Sequence, residues 1–214
     1  MLSIVKKSLL IAYRRLPFTL LMEVLMLLLG IWAGTTHREL SAETRDLVAV
    51  GLPNLQRGRA YTLVTSAFFS SDALMYYGMF PFVAVAIGGY EWRVGTRRAV
   101  ALYWGINVTT MLAAMYLVAK PLSTLTQVPF VQEMATTLDV GPSAGGFALI
   151  GASVNRFPER YRKLTFTGIM LYLIVRPFIV PDPYADIVHL IAFPAGFIVD
   201  QRTARQHVAD DTSS

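Results

Sequence analysis

Two side chains stand where their types permit covalent chemistry. Ser143 opens an apolar run rich in small residues, Gly141-Pro142-Ser143-Ala144-Gly145-Gly146-Phe147-Ala148-Leu149-Ile150-Gly151, and His189 enters another, Ala185-Asp186-Ile187-Val188-His189-Leu190-Ile191-Ala192. A serine becomes a nucleophile when a base lies within hydrogen-bond reach, and histidine supplies such a base near neutral pH. Ala185, His189, Ala192 and Gly196 recur at spacings of four, three and four, which puts the imidazole on a helix face of small residues. Gly141, Gly145, Ala148 and Ala152 repeat the same spacing in the serine stretch. Thin faces of this kind let membrane helices approach closely, although serine as a backbone hydrogen-bonder and histidine as interhelical glue have purely structural uses there. Gly141-x-Ser143-x-Gly145 also spells the nucleophile elbow of soluble hydrolases. That motif needs a strand before it, and here it opens an apolar helix, so the match is rejected.

The elements that must position the pair are membrane helices. With 54% hydrophobic and 15% charged residues over 214 positions, and a mean hydropathy of +0.48, the chain has too little polar surface for a soluble globule. Apolar runs near 20 residues recur, as in a polytopic helical bundle, and the alternating pattern of an outer-membrane barrel is missing. The absence of cysteine excludes disulfides and thiolate metal sites, and no cofactor or metal is implied. A net charge of +5 is explained by cytoplasmic loops that collect Lys and Arg, without a nucleic-acid partner.

In chain order, residues 1–15 form a basic amphipathic lead-in with Lys6, Lys7, Arg14 and Arg15. A membrane domain over 16–200 is expected to hold six spans, at about 16–34, 73–90, 99–119, 140–154, 164–180 and 185–200. Residues 201–214 form a polar tail expected to be disordered. Glu23 sits in the first span, where a lone carboxylate reads as a structural group. The polar loop over 35–72 is long enough to be functional or separately folded. Thirteen of the 19 Lys and Arg residues fall in the N-terminus, the 91–98 and 155–163 loops and the tail, which implies that both termini are cytoplasmic. Ser143 and His189 then lie at similar depth near the outer face. No span shows the repeated charges or paired broken helices of a transporter.

Two further stretches complete a set. Tyr61-Thr62-Leu63-Val64-Thr65-Ser66-Ala67-Phe68 precedes the second span, and Glu91-Trp92-Arg93-Val94-Gly95 follows it. Together with the serine and histidine stretches, in this order, they resemble the rhomboid family of intramembrane serine proteases. The Ser143 stretch resembles that family's Gly-x-Ser-Gly helix start, and His189, Ala192 and Gly196 resemble its Ala-His-x-x-Gly-x-x-x-Gly helix, with Ala192 in place of the first glycine. Tyr61 to Phe68 is similar to its Trp-Arg-x-x-Thr-x-x-Phe run, and Glu91, Arg93 and Gly95 to its Glu-x-Arg-x-Gly element. Gly151 falls among the trailing small residues.

The resemblance implies an all-α polytopic membrane protein with a six-helix rhomboid-like bundle, placed in the bacterial plasma (inner) membrane. It implies that Ser143 and His189 form a catalytic dyad cleaving a membrane-anchored protein near the outer face, with Gly141, Met75, Met79 and Phe147 lining the site. The chain departs from the family where a His and an Asn help bind the oxyanion, since those positions are Met75 and Met79, which donate no hydrogen bond. Pro142 lacks an N–H, and Ala144 replaces the glycine after the serine. Ser70, Ser71, Tyr76 and Tyr77 are the hydroxyls near enough in sequence to substitute, against the plainer expectation that the serines cap the second span and the tyrosines anchor at the interface. Asp186 is a candidate to orient the imidazole. Two functions remain open: a protease with an impaired oxyanion hole, or a rhomboid-like pseudoprotease that binds transmembrane partners without cutting them. The bilayer and a membrane-protein substrate or partner are the implied partners, and the oligomeric state is not set by the sequence.

Overall fold

The computed structural model describes residues 14–212. The basic lead-in, apart from Arg14 and Arg15, therefore lies outside the described residues. Ten helices follow: α1 (Pro17–Ala33), α2 (Ala42–Val48), α3 (Leu52–Gln56), α4 (Thr62–Thr65), α5 (Ala73–Val94), α6 (Thr96–Leu125), α7 (Pro129–Thr136), α8 (Ser143–Val154), α9 (Glu159–Val175) and α10 (Pro183–Thr212). Among the described residues extended pairing is limited to one bridge, between Val50 and Asp139. The protein is all-helical. Three helices are long and apolar enough to cross a membrane, namely α5, α6 and the Pro183–Thr203 part of α10, while α1 and α8 are shorter apolar helices.

Helices occupy all six expected segments, with different limits. The second and third meet at Gly95, whose φ of +88° turns the chain between Val94 and Thr96, so α5 runs past residue 90 and α6 starts before 99. The fifth begins at Glu159 because Glu, Arg and Lys are good helix formers even where the run is polar. The tail expected from 201 instead continues α10 to Thr212: Gln, Arg and Ala propagate a helix that is already nucleated. The loop over 35–72 holds α2, α3 and α4, with Ser41 capping α2 by accepting from the Thr44 N–H at 3.2 Å. Asp46 carries Arg57 at 2.6 Å and Arg59 at 2.7 Å, and the Arg59 hydrogen bond above all lowers its pKa.

Glu91 is buried, and its carboxylate accepts from the N–H groups of Phe18 and Thr19 at 2.9 Å each, from the Thr19 hydroxyl at 2.7 Å and from the Thr96 hydroxyl at 2.7 Å. It thereby caps the start of α1, whose orphan donors face it beside Pro17, and ties α1 to the α5–α6 junction. Arg93, two residues on, is exposed.

α8 is the central element, packed most extensively on α10 and next on α6. Its glycines accommodate neighbours, Gly145 the ring of Tyr103 and Gly146 the ring of Phe82. A Cβ on Gly151 would fall on the carbonyl of Phe193, and one on Gly196 on the carbonyl of Ala148, so here two backbones touch. Ala192 is fully buried in the same seam. α8 and α10 run parallel, meeting through Ser143 and His189 at one end and through Asn155, Arg156 and Asp200 at the other. At that second end the buried Asp200 accepts from Tyr90 (2.6 Å), Arg98 (2.9 Å), Arg156 (3.0 Å) and Asn155 (3.3 Å).

Candidate active site

Ser143 is the first residue of α8, a helix of 12 residues, about 18 Å long. The chain reaches it through an extended segment. Asp139 and Val50 exchange backbone hydrogen bonds at 2.7 and 2.9 Å, and the Gly141 N–H donates to the Ser66 carbonyl at 2.8 Å. Gly141 has φ of +134°, a conformation that favours glycine, and a side chain there would press on the methyl groups of Met75 and Met79. Its N–H is committed to Ser66 and does not face the site as a free donor.

His189 Nε2 lies 2.8 Å from Ser143 Oγ. The ring is buried beside Phe147, with centroids 4.4 Å apart at 38°, so Phe147 limits how the imidazole turns. For Nε2 to accept the serine proton, Nδ1 must carry the other one, and no described protein group partners Nδ1. Asp186 does not fill this role. It is ion-paired with Arg176 and accepts from the Asp182 N–H at 3.0 Å, joining the end of α9 to the start of α10.

A cleft of about 320 Å³ opens beside the serine, lined by Met75, Gly78, Met79, Phe82, Pro142, Ser143 and Phe147. Both methionines thus face the reacting end of Ser143. The Ser71 hydroxyl donates to Asp72 at 2.7 Å, and the Met75 sulfur accepts from the Ser71 N–H at 3.4 Å. Asp72, not Ser70 or Ser71, caps α5, accepting from the Met75 N–H at 2.8 Å; that bond lowers its pKa. Tyr76 and Tyr77 reach the carbonyls of Leu27 and Thr36, at 3.4 and 3.3 Å. Tyr76 is buried against Gly30, so it packs the core instead of anchoring at an interface. None of these hydroxyls is among the cleft-lining residues, nor is the half-buried Glu23 of α1. What remains to stabilise an oxyanion is the start of α8, where the N–H groups of Ser143 and Ala144 have no intrahelical acceptor.

Three contributors were not legible as site residues. Asn107 of α6 accepts from the Gly145 N–H at 3.1 Å and donates to the Leu63 carbonyl at 3.3 Å, holding the first turn of α8 against α6 and α4. Tyr103 donates to the Pro142 carbonyl at 3.3 Å. Asp200 secures the far end of the α8–α10 pair. A lone amide inside an apolar run is the signal that would have found Asn107. The half-buried Asp139, four residues before Ser143, has its carboxyl pushed up to about 7, first by desolvation and then by the charge of Asp182.

The fold and site together define an all-helical protein, with three helices long and apolar enough to cross a membrane, that pairs a half-buried serine with a buried histidine beside an apolar cleft. Among the described residues no group of His, Asp and Glu is placed to hold a metal. Comparison of the chain with protein-family models, curated proteins and solved structures gives no match.

Proposed function

We propose that this chain is a rhomboid-like intramembrane serine hydrolase with six membrane-spanning helices and both termini cytoplasmic, cleaving a membrane-anchored protein near the outer face. The 2.8 Å approach of His189 Nε2 to Ser143 Oγ carries this reading. In the reaction Ser143 Oγ attacks the scissile carbonyl and passes its proton to His189. The leaving amine takes that proton, and water then hydrolyses the acyl-enzyme with His189 again as base. The Ser143 and Ala144 N–H groups, at the positive end of the α8 dipole, receive the developing negative charge. Gly151 and Gly196 support the reading as close-approach positions that set the distance between the two helices.

A second reading, a scaffold that binds transmembrane partners without cutting them, is favoured by one observation: Met75 and Met79 face the serine where hydrogen-bond donors would serve catalysis. A fluorophosphonate probe separates the two. Labelling of the wild type that is lost in Ser143→Ala and in His189→Ala supports the hydrolase; no labelling under conditions that label an active serine hydrolase supports the scaffold.

A further inference from the structure

We propose that the Ser143 site hydrolyses long-chain acyl thioesters, and does so faster than it cleaves peptide bonds. This deepens the hydrolase reading above and rests on it. Of the residues lining the cleft, Ser143 alone has a polar side chain; Met75, Met79, Phe82 and Phe147 supply an apolar wall, and Gly78 leaves a gap in it. A peptide strand entering there brings an N–H and a carbonyl per residue, which need partners in an apolar setting. The wall supplies none from its side chains, and the Gly141 N–H is already bonded to Ser66. A fatty-acyl chain brings no polar group and passes from lipid to the cleft without desolvation. Methionine side chains adapt to a flexible chain of this kind.

The catalytic groups point the same way. Two backbone donors at one helix start are a sparse oxyanion site, and among the described residues His189 has no protein partner at Nδ1 to stabilise an imidazolium. An amine leaving group must be protonated by that imidazolium before it departs. A thiolate is a far better leaving group, because a thiol ionises near neutral pH. In the step proposed, a lone pair on Ser143 Oγ forms a bond to the thioester carbonyl carbon and the hydroxyl proton moves to His189 Nε2. The C–S bond then breaks, with its electron pair leaving on sulfur, which takes the proton from His189. Water attacks the acyl-serine, its proton passing through His189 back to Ser143 Oγ as the C–O bond to serine breaks. The sum is thioester plus water to carboxylic acid plus thiol, with no other reactant.

The test uses the full chain in proteoliposomes. Three substrates are compared: an S-palmitoylated transmembrane peptide, palmitoyl-coenzyme A, and the same peptide carrying an S-acetyl group; fluorophosphonate labelling is run in parallel. Expected is release of palmitate at least tenfold faster than of acetate, with no cut in the peptide backbone on that timescale, and loss of release in Ser143→Ala. Faster turnover of the palmitoylated peptide assigns a membrane-protein source for the thioester, and faster turnover of palmitoyl-coenzyme A a soluble one; either supports the proposal. In Gly78→Leu, whose new side chain meets no neighbouring atom at Cβ, the ratio of palmitate to acetate release should fall at least fivefold as the cleft fills. Labelling of Ser143 together with backbone cleavage and no palmitate release overturns this proposal and leaves the hydrolase reading standing. No labelling and no release overturns both.

Discussion

Replacing Gly196 by alanine places a methyl group on the carbonyl oxygen of Ala148, in the seam that joins α8 to α10. The obstacle is backbone. That carbonyl is tied into its own helix, so it cannot swing aside, and the two helices must part by about 1 Å. Gly196 lies seven residues beyond His189, two turns or about 10 Å along the axis, and although Pro194 between them removes one backbone hydrogen bond, the continuous helix carries part of the displacement to the imidazole. A Ser143–His189 distance of 2.8 Å then stretches beyond hydrogen-bond range. A displacement near 1 Å costs about a hundredfold in rate, or about 2.7 kcal/mol in the barrier, while overpacking costs about 1–3 kcal/mol in stability. The assay is the second-order rate of fluorophosphonate labelling, read beside thermal unfolding in detergent. Gly168→Ala, where a Cβ meets nothing, is the control and should change neither. Ala148→Gly should fail to rescue, because the clash is with the carbonyl and not with the side chain. Wild-type labelling by Gly196→Ala, or its recovery with Ala148→Gly, would refute the reasoning.

Three other outcomes follow from the same geometry. Asp200→Ala leaves Arg98 and Arg156 facing one another without their shared carboxylate; because these side chains are 27% and 32% exposed, the loss should sit near the low end for such pairs, about 3 kcal/mol, measured by denaturant titration in detergent. Asp139, raised to about 7 in the fold against an ordinary value of 3.8, holds a proton that the unfolded chain has released between those values. Its contribution is therefore full below about pH 4, declines as pH rises to about 7 and is flat above, a slope that Asp139→Asn should remove from the unfolding profile. Met75→His with Met79→Asn brings donors to the cleft beside Ser143 and should raise labelling or hydrolysis by about tenfold or more. An unchanged rate in that double variant would show that the methionines do not face the developing oxyanion.

Much of this arrangement was readable in the residues, and the exceptions share a cause. The small-residue spacing around Ser143 and His189 brought Ala148 and Gly196 to the seam that meets, since a helix repeats every 3.6 residues whatever surrounds it, whereas Gly145 of the same spacing packs on Tyr103 of α6. Asp186 misled because its place three residues before His189 says nothing of Arg176, which arrives from α9. Ser70 and Ser71 precede α5, yet Asp72 caps it, a choice made by one turn of backbone. Asn107 and Asp200 bind partners 38 and 110 residues away, beyond any periodic pattern.

By itself the sequence determined that the chain is helical and built for a membrane, and that a serine and a histidine each stand on a thin helix face. Those properties depend on composition and on the period of one helix. Tertiary structure alone decided the 2.8 Å between Ser143 and His189, the turn of Met75 and Met79 toward the cleft and the capping of α1 by Glu91. Each of these depends on how separate helices are juxtaposed, and that is set by steric fit and hydrogen-bond satisfaction across the whole bundle, which no local spacing encodes.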